Sequence, residues 1–281
     1  MDVASEHGIL HVEQVMGTTV TLDVRDPHLT RAELARAVLA GVDVLHAADR
    51  MFSTYRACSA ISQLRRGSRH PQDPDHLPDD LPADVVTVLA RCAAATQRSR
   101  GWFDPWRQPG GFDPTGLVKG WAAQRALREM ARCGVRHALV NAGGDVVVRG
   151  DANGAGDGSG WNIGIQDPFA PSDLLTSIRV TDLAVATSGA YERGSLAVDP
   201  STGQVVHRLA SVTVVAADLA LADACSTGAS AHGPAALDWL SDIPGLEALL
   251  VTLDGGLLPT PGWPVNGTLS LFPAARGQQV L

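Results

Sequence analysis

Apolar and polar positions alternate along "VEQVMGTTVTLDV" (residues 12–24), a period-two pattern rich in β-branched side chains that predicts a half-buried strand. The period then lengthens. "LTRAELARAVLAGVDVLHAADRMF" (29–52) places apolar side chains three and four residues apart, and Thr30 with Glu33 forms a capping box at its start, which predicts a helix. Proline and aspartate crowd residues 71–82, an exposed loop, and Pro82 suits the first turn of a second helix running to about Arg98. A third helix is expected from about Gly116 to Cys133, stopped by Gly134. Strand patterns follow at "HALVNA", "DVVVRG" and "WNIGIQ", the last two separated by the glycine-rich loop "DANGAGDGSG". "LLTSIRVTDLAVATSG", "LASVTVVAA" and "LEALLVTLDGG" add further strands, and "LALADACSTGASAHG" reads as a short helix closed by Gly233. Helices and strands come in clusters with hairpin-length links, so the predicted class is α+β with mostly antiparallel sheet, without an internal repeat.

Composition narrows the function classes. A chain of 281 residues with 45% hydrophobic side chains can bury a large core, as one big domain or two small ones. No apolar run approaches the length needed to cross a bilayer, and the opening "MDVASEHGIL" has neither the basic nor the apolar part of an export signal, which points to the cytoplasm. A formal charge of −8 argues against broad attraction to nucleic acid or anionic lipid, so an anionic ligand needs a local cation or a metal. Cys58, Cys92, Cys133 and Cys225 are scattered without a CxxC pair and read as reduced, mostly buried thiols.

Three short stretches carry candidate chemistry. In "FDPTGLVKGW", Thr115 is a plausible N-cap, Gly116 and Gly120 allow close backbone approach, and Lys119 is a cation where the helix dipole disfavours one. An anion such as phosphate would explain it, while the missing P-loop spacing leaves a plain helix start as the competing account. In "LADACSTG", Asp223 and Thr227 lie four apart, so their oxygens share a helix face and suit one hard cation, magnesium rather than zinc. The alternative is an aspartate complementing the dipole and a threonine bonded back to a carbonyl. "VNAGGDVVV" is first a tight hairpin turn, and secondly a place where backbone can approach a flat ligand beside Asn141 and Asp145. "ATSGAYERG" offers the same two readings. Cys225, two residues from Asp223, turns to another helix face and into the core, and Trp102, Trp106 and Trp121 are read as packing residues.

Together these stretches form an ordered set: "VMGTTV", "FSTYRACSAIS", "GGFDPTGLVKGWA", "VNAGGDV", "WNIGI", "ATSGAYERG", "VDPSTG" and "SVTVVAADLALADACSTG". That set resembles the ApbE family of FAD:protein FMN transferases, over one domain of about residues 10–275. The resemblance implies a compact α+β fold with the flavin in a cleft between two lobes. It implies an enzyme that takes FAD with Mg2+, splits the diphosphate, attaches FMN through a phosphoester to a Thr or Ser hydroxyl of a target flavoprotein, and releases AMP. Some relatives instead hydrolyse FAD to FMN and AMP. Carried over by motif, Asp223 and Thr227 look like the magnesium ligands, with a main-chain carbonyl near Val118, and Lys119 would sit near the diphosphate. Met16, Gly17, Tyr55, Ser59, Asp113, Gly116, Gly143, Gly144, Ser188 and Gly189 look like flavin or adenosine contacts.

Two positions depart from the family pattern. Relatives usually carry a histidine three residues before the Asp of "DP", and here "SLAVDP" places Leu196 there, which cannot accept a proton. Either another residue substitutes, or the chain only hydrolyses FAD, or it binds FAD without transferring it. If "SLAV" and "VVHR" pair around "DPSTG", residue 198 faces 205 and 196 faces 207, which makes His207 the candidate base. Arg65 in "ISQLRRG" stands where relatives commonly have asparagine, an expected change near the adenosine.

Overall fold

The computed structural model describes residues 3–5, 8–67, 81–189 and 197–264, so most of the proline- and aspartate-rich loop, and Leu196, lie outside the described residues. The alternating stretch at the start is two strands rather than one: β2 (Gly8–Val15) turns at Met16 and Gly17 into β3 (Thr18–Val24), after a short β1 (Val3–Ser5). Both turn residues have positive φ, +55° and +72°, the conformation of a two-residue hairpin. Val15 pairs with Thr18, so the core-facing positions change from odd to even numbers across the two-residue turn, and this one-residue shift of phase is the only trace the turn leaves in the pattern.

Helix α1 (Arg31–Phe52) begins with the predicted capping box: the Glu33 amide donates to Thr30 Oγ1 at 3.4 Å, and the Thr30 amide donates to the Glu33 carboxylate at 2.8 Å. Its apolar stripe, including Leu34, Val38, Leu45 and Phe52, is buried. A short α2 (Ala60–Gly67), which the sequence pattern did not reveal, precedes α3 (Ala83–Arg98) and α4 (Thr115–Arg132). Thr115 is not the N-cap of α4. Pro114 occupies that position, and the Asp113 carboxylate, two residues before the first free amide, accepts the Thr115 N–H at 3.0 Å.

Strands β4 (Ala138–Ala142) and β5 (Asp145–Arg149) form a hairpin, followed by the hairpin β6 (Trp161–Gln166) and β7 (Leu174–Val180). Then come β8 (Ala184–Gly189), β9 (Val198–Asp199), β10 (Gln204–Val205) and β11 (Ser211–Ala216). Helices α5 (Leu219–His232) and α6 (Ala236–Ser241) and strands β12 (Leu246–Val251) and β13 (Leu257–Pro259) complete the described chain. Among the described residues one nine-stranded sheet runs β1-β2-β3-β4-β5-β8-β11-β12-β13, with each neighbouring pair antiparallel. The α+β, mostly antiparallel class therefore stands.

Helices cover one face of this sheet, and the β6–β7 hairpin packs on the other. Strand β11 is buried on both faces: Val212 and Val214 enter the helix-side core, while Val215 joins Trp161, Ile163 and Ile178 on the opposite side. On the helix side, α4 and α5 cross at Gly120. A Cβ there would stand 2.7 Å from the Leu219 carbonyl oxygen, so only glycine permits the approach. That crossing sets the start of α4 against the middle of α5, where the candidate chemistry lies.

Candidate active site

A cleft of about 510 Å3 opens on the helical side of the sheet. Its walls are the β2–β3 turn, the last turn of α1 with the Ser53–Tyr55 segment after it, the start of α4, the β4–β5 turn, the end of β8, and the inner face of α5. It brings together Met16, Gly17, Tyr55, Asp113, Gly116, Val118, Lys119, Gly143, Ser188, Asp223 and Thr227 from among the residues expected at the site.

Four expected residues stand elsewhere. Ser59 is buried, where its hydroxyl donates to the Ser53 carbonyl at 2.6 Å and accepts the Ser62 amide at 3.0 Å, so it supports the segment bearing Tyr55 from behind. The Gly144 amide donates to Asn141 Oδ1 at 2.8 Å, closing the β4–β5 turn. Gly189 and His207 line a second pocket of about 20 Å3, which shares Ser188 and Thr227 with the main cleft. That volume admits about one water molecule.

The oxygen donors fit the expected cation. Asp223 is 4% exposed, and Thr227, one turn further along α5, also faces the cleft. A Cβ on Gly116 would lie 3.1 Å from Thr227 Oγ1, so the bare glycine is what lets the start of α4 meet that hydroxyl. Among the described residues no group of three or more His, Cys, Asp or Glu is disposed to hold a metal. A carboxylate, a hydroxyl and a main-chain carbonyl make a sparse, hard set, which suits an ion that keeps water and phosphate oxygens as its other ligands. Behind it, Ser226 Oγ donates to the Asp223 carbonyl at 2.9 Å and lies 2.8 Å from Ser188 Oγ, tying α5 to β8. Of the four cysteines, expected to be mostly buried, Cys92 and Cys225 are buried while Cys58 and Cys133 are exposed. Burial pushes the Cys225 thiol up to about 12, so it is chemically quiet.

Lys119 reaches the cleft wall with its Nζ 2.8 Å from Asp145 Oδ2. Asp145, read from the sequence as a polar neighbour of the β4–β5 turn, is 1% exposed and stands behind the cleft wall and not among the residues that line it. Burial pushes its carboxyl up, and the lysine pulls the other way. Arg65 likewise serves the protein itself: its Nε donates to the Phe112 carbonyl at 2.6 Å and a terminal nitrogen pairs with Asp113 at 3.2 Å, anchoring the turn before α4. Asp49, which the sequence did not single out, lines the cleft and holds Arg56 through two bonds of 3.0 and 2.7 Å. On a helix pattern it looked like any solvated position.

The β9–β10 hairpin has the anticipated register, Val198 opposite Val205, and the Val206 amide donates to the Ala197 carbonyl at 2.8 Å. Arg208 clamps it, pairing with Asp199 at 2.6 Å and donating to the Ala231 carbonyl at 2.7 Å. The Ser201 hydroxyl and amide, followed by Arg208, hold the Asp199 carboxyl down at about 2. Trp102 stacks on His232 at 4.1 Å, with the Arg208 guanidinium 5.5 Å from the indole, and Trp239 Nε1 donates to His232 Nδ1 at 3.1 Å. His232 therefore accepts at Nδ1 in its neutral form. Burial, then Arg208, lowers its pKa from the ordinary 6.5. The unfolded chain binds the proton first, so this contribution to stability is complete above about pH 6.5 and is lost as pH falls toward the depressed value. Thermal unfolding between pH 5 and 8 should show Tm falling on the acid side, with a shallower fall in His232→Gln.

Residues 16–111 and 106–250 match the sequence model of the ApbE family. Curated proteins named FAD:protein FMN transferase are similar over part of their length. One from Klebsiella pneumoniae is 32% identical over 153 residues, covering 51% of this chain and 43% of the relative. One from Escherichia coli K12 is 31% identical over 158 residues, covering 53% and 44%. The matched region thus spans less than half of either relative. The fold resembles the ApbE protein of Thermotoga maritima with a TM-score of 0.75 at 23% identity, over 90% of this chain and 97% of that one. It also resembles the flavin transferase ApbE of Vibrio cholerae with a TM-score of 0.74 at 18% identity, over 90% and 97%. With the family model matching most of its length, the chain belongs to the ApbE family.

Proposed function

We propose that this protein is an FAD:protein FMN transferase, working as a single domain of about residues 10–275 and acting in the cytoplasm on a target flavoprotein. The observation that carries this reading is the convergence of Lys119, Gly116, Asp223 and Thr227 on one cleft, a cation and a set of hard oxygen donors where a diphosphate needs them. The names of the similar curated proteins support it. Among the described residues no helix is long and apolar enough to cross a membrane.

In this reading FAD lies along the cleft, with its rings against Met16, Gly17, Tyr55, Gly143 and Ser188 and its diphosphate toward Lys119 and the start of α4. Asp223, Thr227 and the Val118 carbonyl would hold Mg2+, whose charge would neutralise diphosphate oxygens. Asp113, held by Arg65, keeps the turn before α4 fixed, and Lys119 stabilises charge gathering on the phosphate. The acceptor Thr or Ser oxygen bonds to the FMN phosphorus as the bond from that phosphorus to the bridging oxygen breaks. AMP departs with that oxygen, and His207 takes the hydroxyl proton.

The second reading is hydrolysis of FAD to FMN and AMP, with water in place of the hydroxyl in the pocket that shares Ser188 and Thr227 with the cleft, where about one water fits. Incubation with FAD, Mg2+ and an acceptor flavoprotein decides between them. An acceptor gaining the mass of FMN, with equal AMP and no gain in chelator, establishes transfer; AMP with free FMN and unmodified acceptors establishes hydrolysis; intact bound FAD leaves a flavin-binding protein. His207→Ala should slow transfer by about 100-fold. Full activity in that variant would show that His207 is not the base.

A further inference from the structure

We infer that Asp145 is a positioning residue that holds the Lys119 ammonium in place on the cleft wall, a role that rests on reading the cleft as the FAD site. Asp145 opens β5 directly after the Gly143–Gly144 turn, and its side chain is 2% exposed. One carboxylate oxygen accepts the Thr187 amide of β8 at 3.2 Å. The other meets Lys119 Nζ at 2.8 Å. Thr187 Oγ1 in turn lies 3.0 Å from Thr213 Oγ1 of β11, so the carboxylate is fixed by three adjacent strands at the middle of the sheet.

Stability does not account for such a pair. Desolvating two charges costs about as much as their attraction returns, and apolar replacements of similar shape are often neutral or better. The pair is also lopsided. Asp145 is sealed in the protein, whereas Lys119 is 26% exposed and lines the cleft. A lysine carries its ammonium on a flexible four-carbon stem and has rotamer entropy to lose when a ligand fixes it. A buried carboxylate behind the ammonium removes that freedom before the ligand arrives, the condition under which a cation stabilises charge that develops only during reaction.

The same carboxylate has an opposite effect on ground-state binding, because it is a negative charge behind the cation that a diphosphate approaches. Orientation and affinity therefore part company. Asp145→Asn keeps the shape and the Thr187 bond while removing the charge. It should bind FAD as tightly as wild type or several-fold more tightly, yet release AMP at saturating FAD about 10- to 100-fold more slowly. In a Lys119→Met background, adding Asp145→Asn should produce no further loss of rate, because Asp145 acts through Lys119.

The experiment measures FAD affinity by flavin fluorescence and AMP release under saturation for wild type, both single variants and the double variant, each checked for folding by its Tm. Slower turnover with undiminished affinity, and no added loss in the double variant, is the expected result. Wild-type turnover in Asp145→Asn, losses that multiply in the double variant, or affinity and rate falling together with Tm would overturn the inference. Should Asp145→Asn not fold, a crystal structure of the wild-type protein with FAD decides the matter. Nζ of Lys119 touching both Asp145 and a diphosphate oxygen supports the role, and a lysine swung away from Asp145 refutes it. A wild-type protein that binds no FAD removes the functional reading itself and this inference with it, and affinity for wild type alone reports that outcome.

Discussion

Asp223→Ala should lose AMP release from FAD by about 100-fold or more at any Mg2+ concentration, while keeping the helical signature of the wild type. The carboxylate sits on α5 almost wholly out of solvent, facing the cleft one turn before Thr227. Alanine keeps the helix, for which it has the highest propensity, and removes the single anionic donor of the oxygen set. Asp223→Asn separates charge from shape: it should fail nearly as badly, because an amide oxygen is a weaker ligand for a hard cation than a carboxylate. Measuring AMP release against Mg2+ at saturating FAD checks both. Activity within threefold of wild type in either variant would mean that the cation site is elsewhere.

Gly120→Val should be the most damaging single substitution for the site as a whole. The Cβ alone would stand 2.7 Å from the Leu219 carbonyl oxygen and 2.9 Å from its carbon, atoms of the backbone that cannot rotate away. Valine adds two methyl groups, so α4 and α5 must separate. Overpacking of this kind costs about 3 kcal/mol, which for a chain of this size lowers Tm by roughly 6–12 °C. The consequence for activity exceeds the consequence for stability, because Val118 and Lys119 ride on one helix and Asp223 and Thr227 on the other. Differential scanning calorimetry alongside AMP release tests this, and a variant with wild-type Tm would show that the crossing is looser than described.

Local signals were legible in the sequence, and signals that depend on distant partners were not. The capping box at Thr30, the stop at Gly134 and the close of α5 at Gly233 are each made by a few neighbouring residues, and the structure has all three. The Met16–Gly17 turn escaped because its mark in the pattern is a single one-residue shift of phase between Val15 and Thr18, and because the turn lacks an Asn-Gly pair. Helix α2 escaped because it is short, ends in Arg65 and Arg66, and adjoins a loop rich in proline and aspartate. At the site, the helix face shared by Asp223 and Thr227 followed from spacing. The Lys119–Asp145 pair did not: it joins a helix to a strand 26 positions later, and nothing in "GGDVVV" distinguishes a buried aspartate from one at a turn.

If the proposed reading holds, the small pocket between Ser188, His207 and Thr227 bears on how the nucleophile is chosen. At about 20 Å3 it has room for a single oxygen-bearing group at a time. Under the proposed reading, water and an acceptor hydroxyl are rivals for one seat, and neither can be excluded by size. Whether flavin ends up on a protein or free in solution is then a matter of occupancy: the acceptor wins by residence time, and each moment the seat stands vacant is an opportunity for waste.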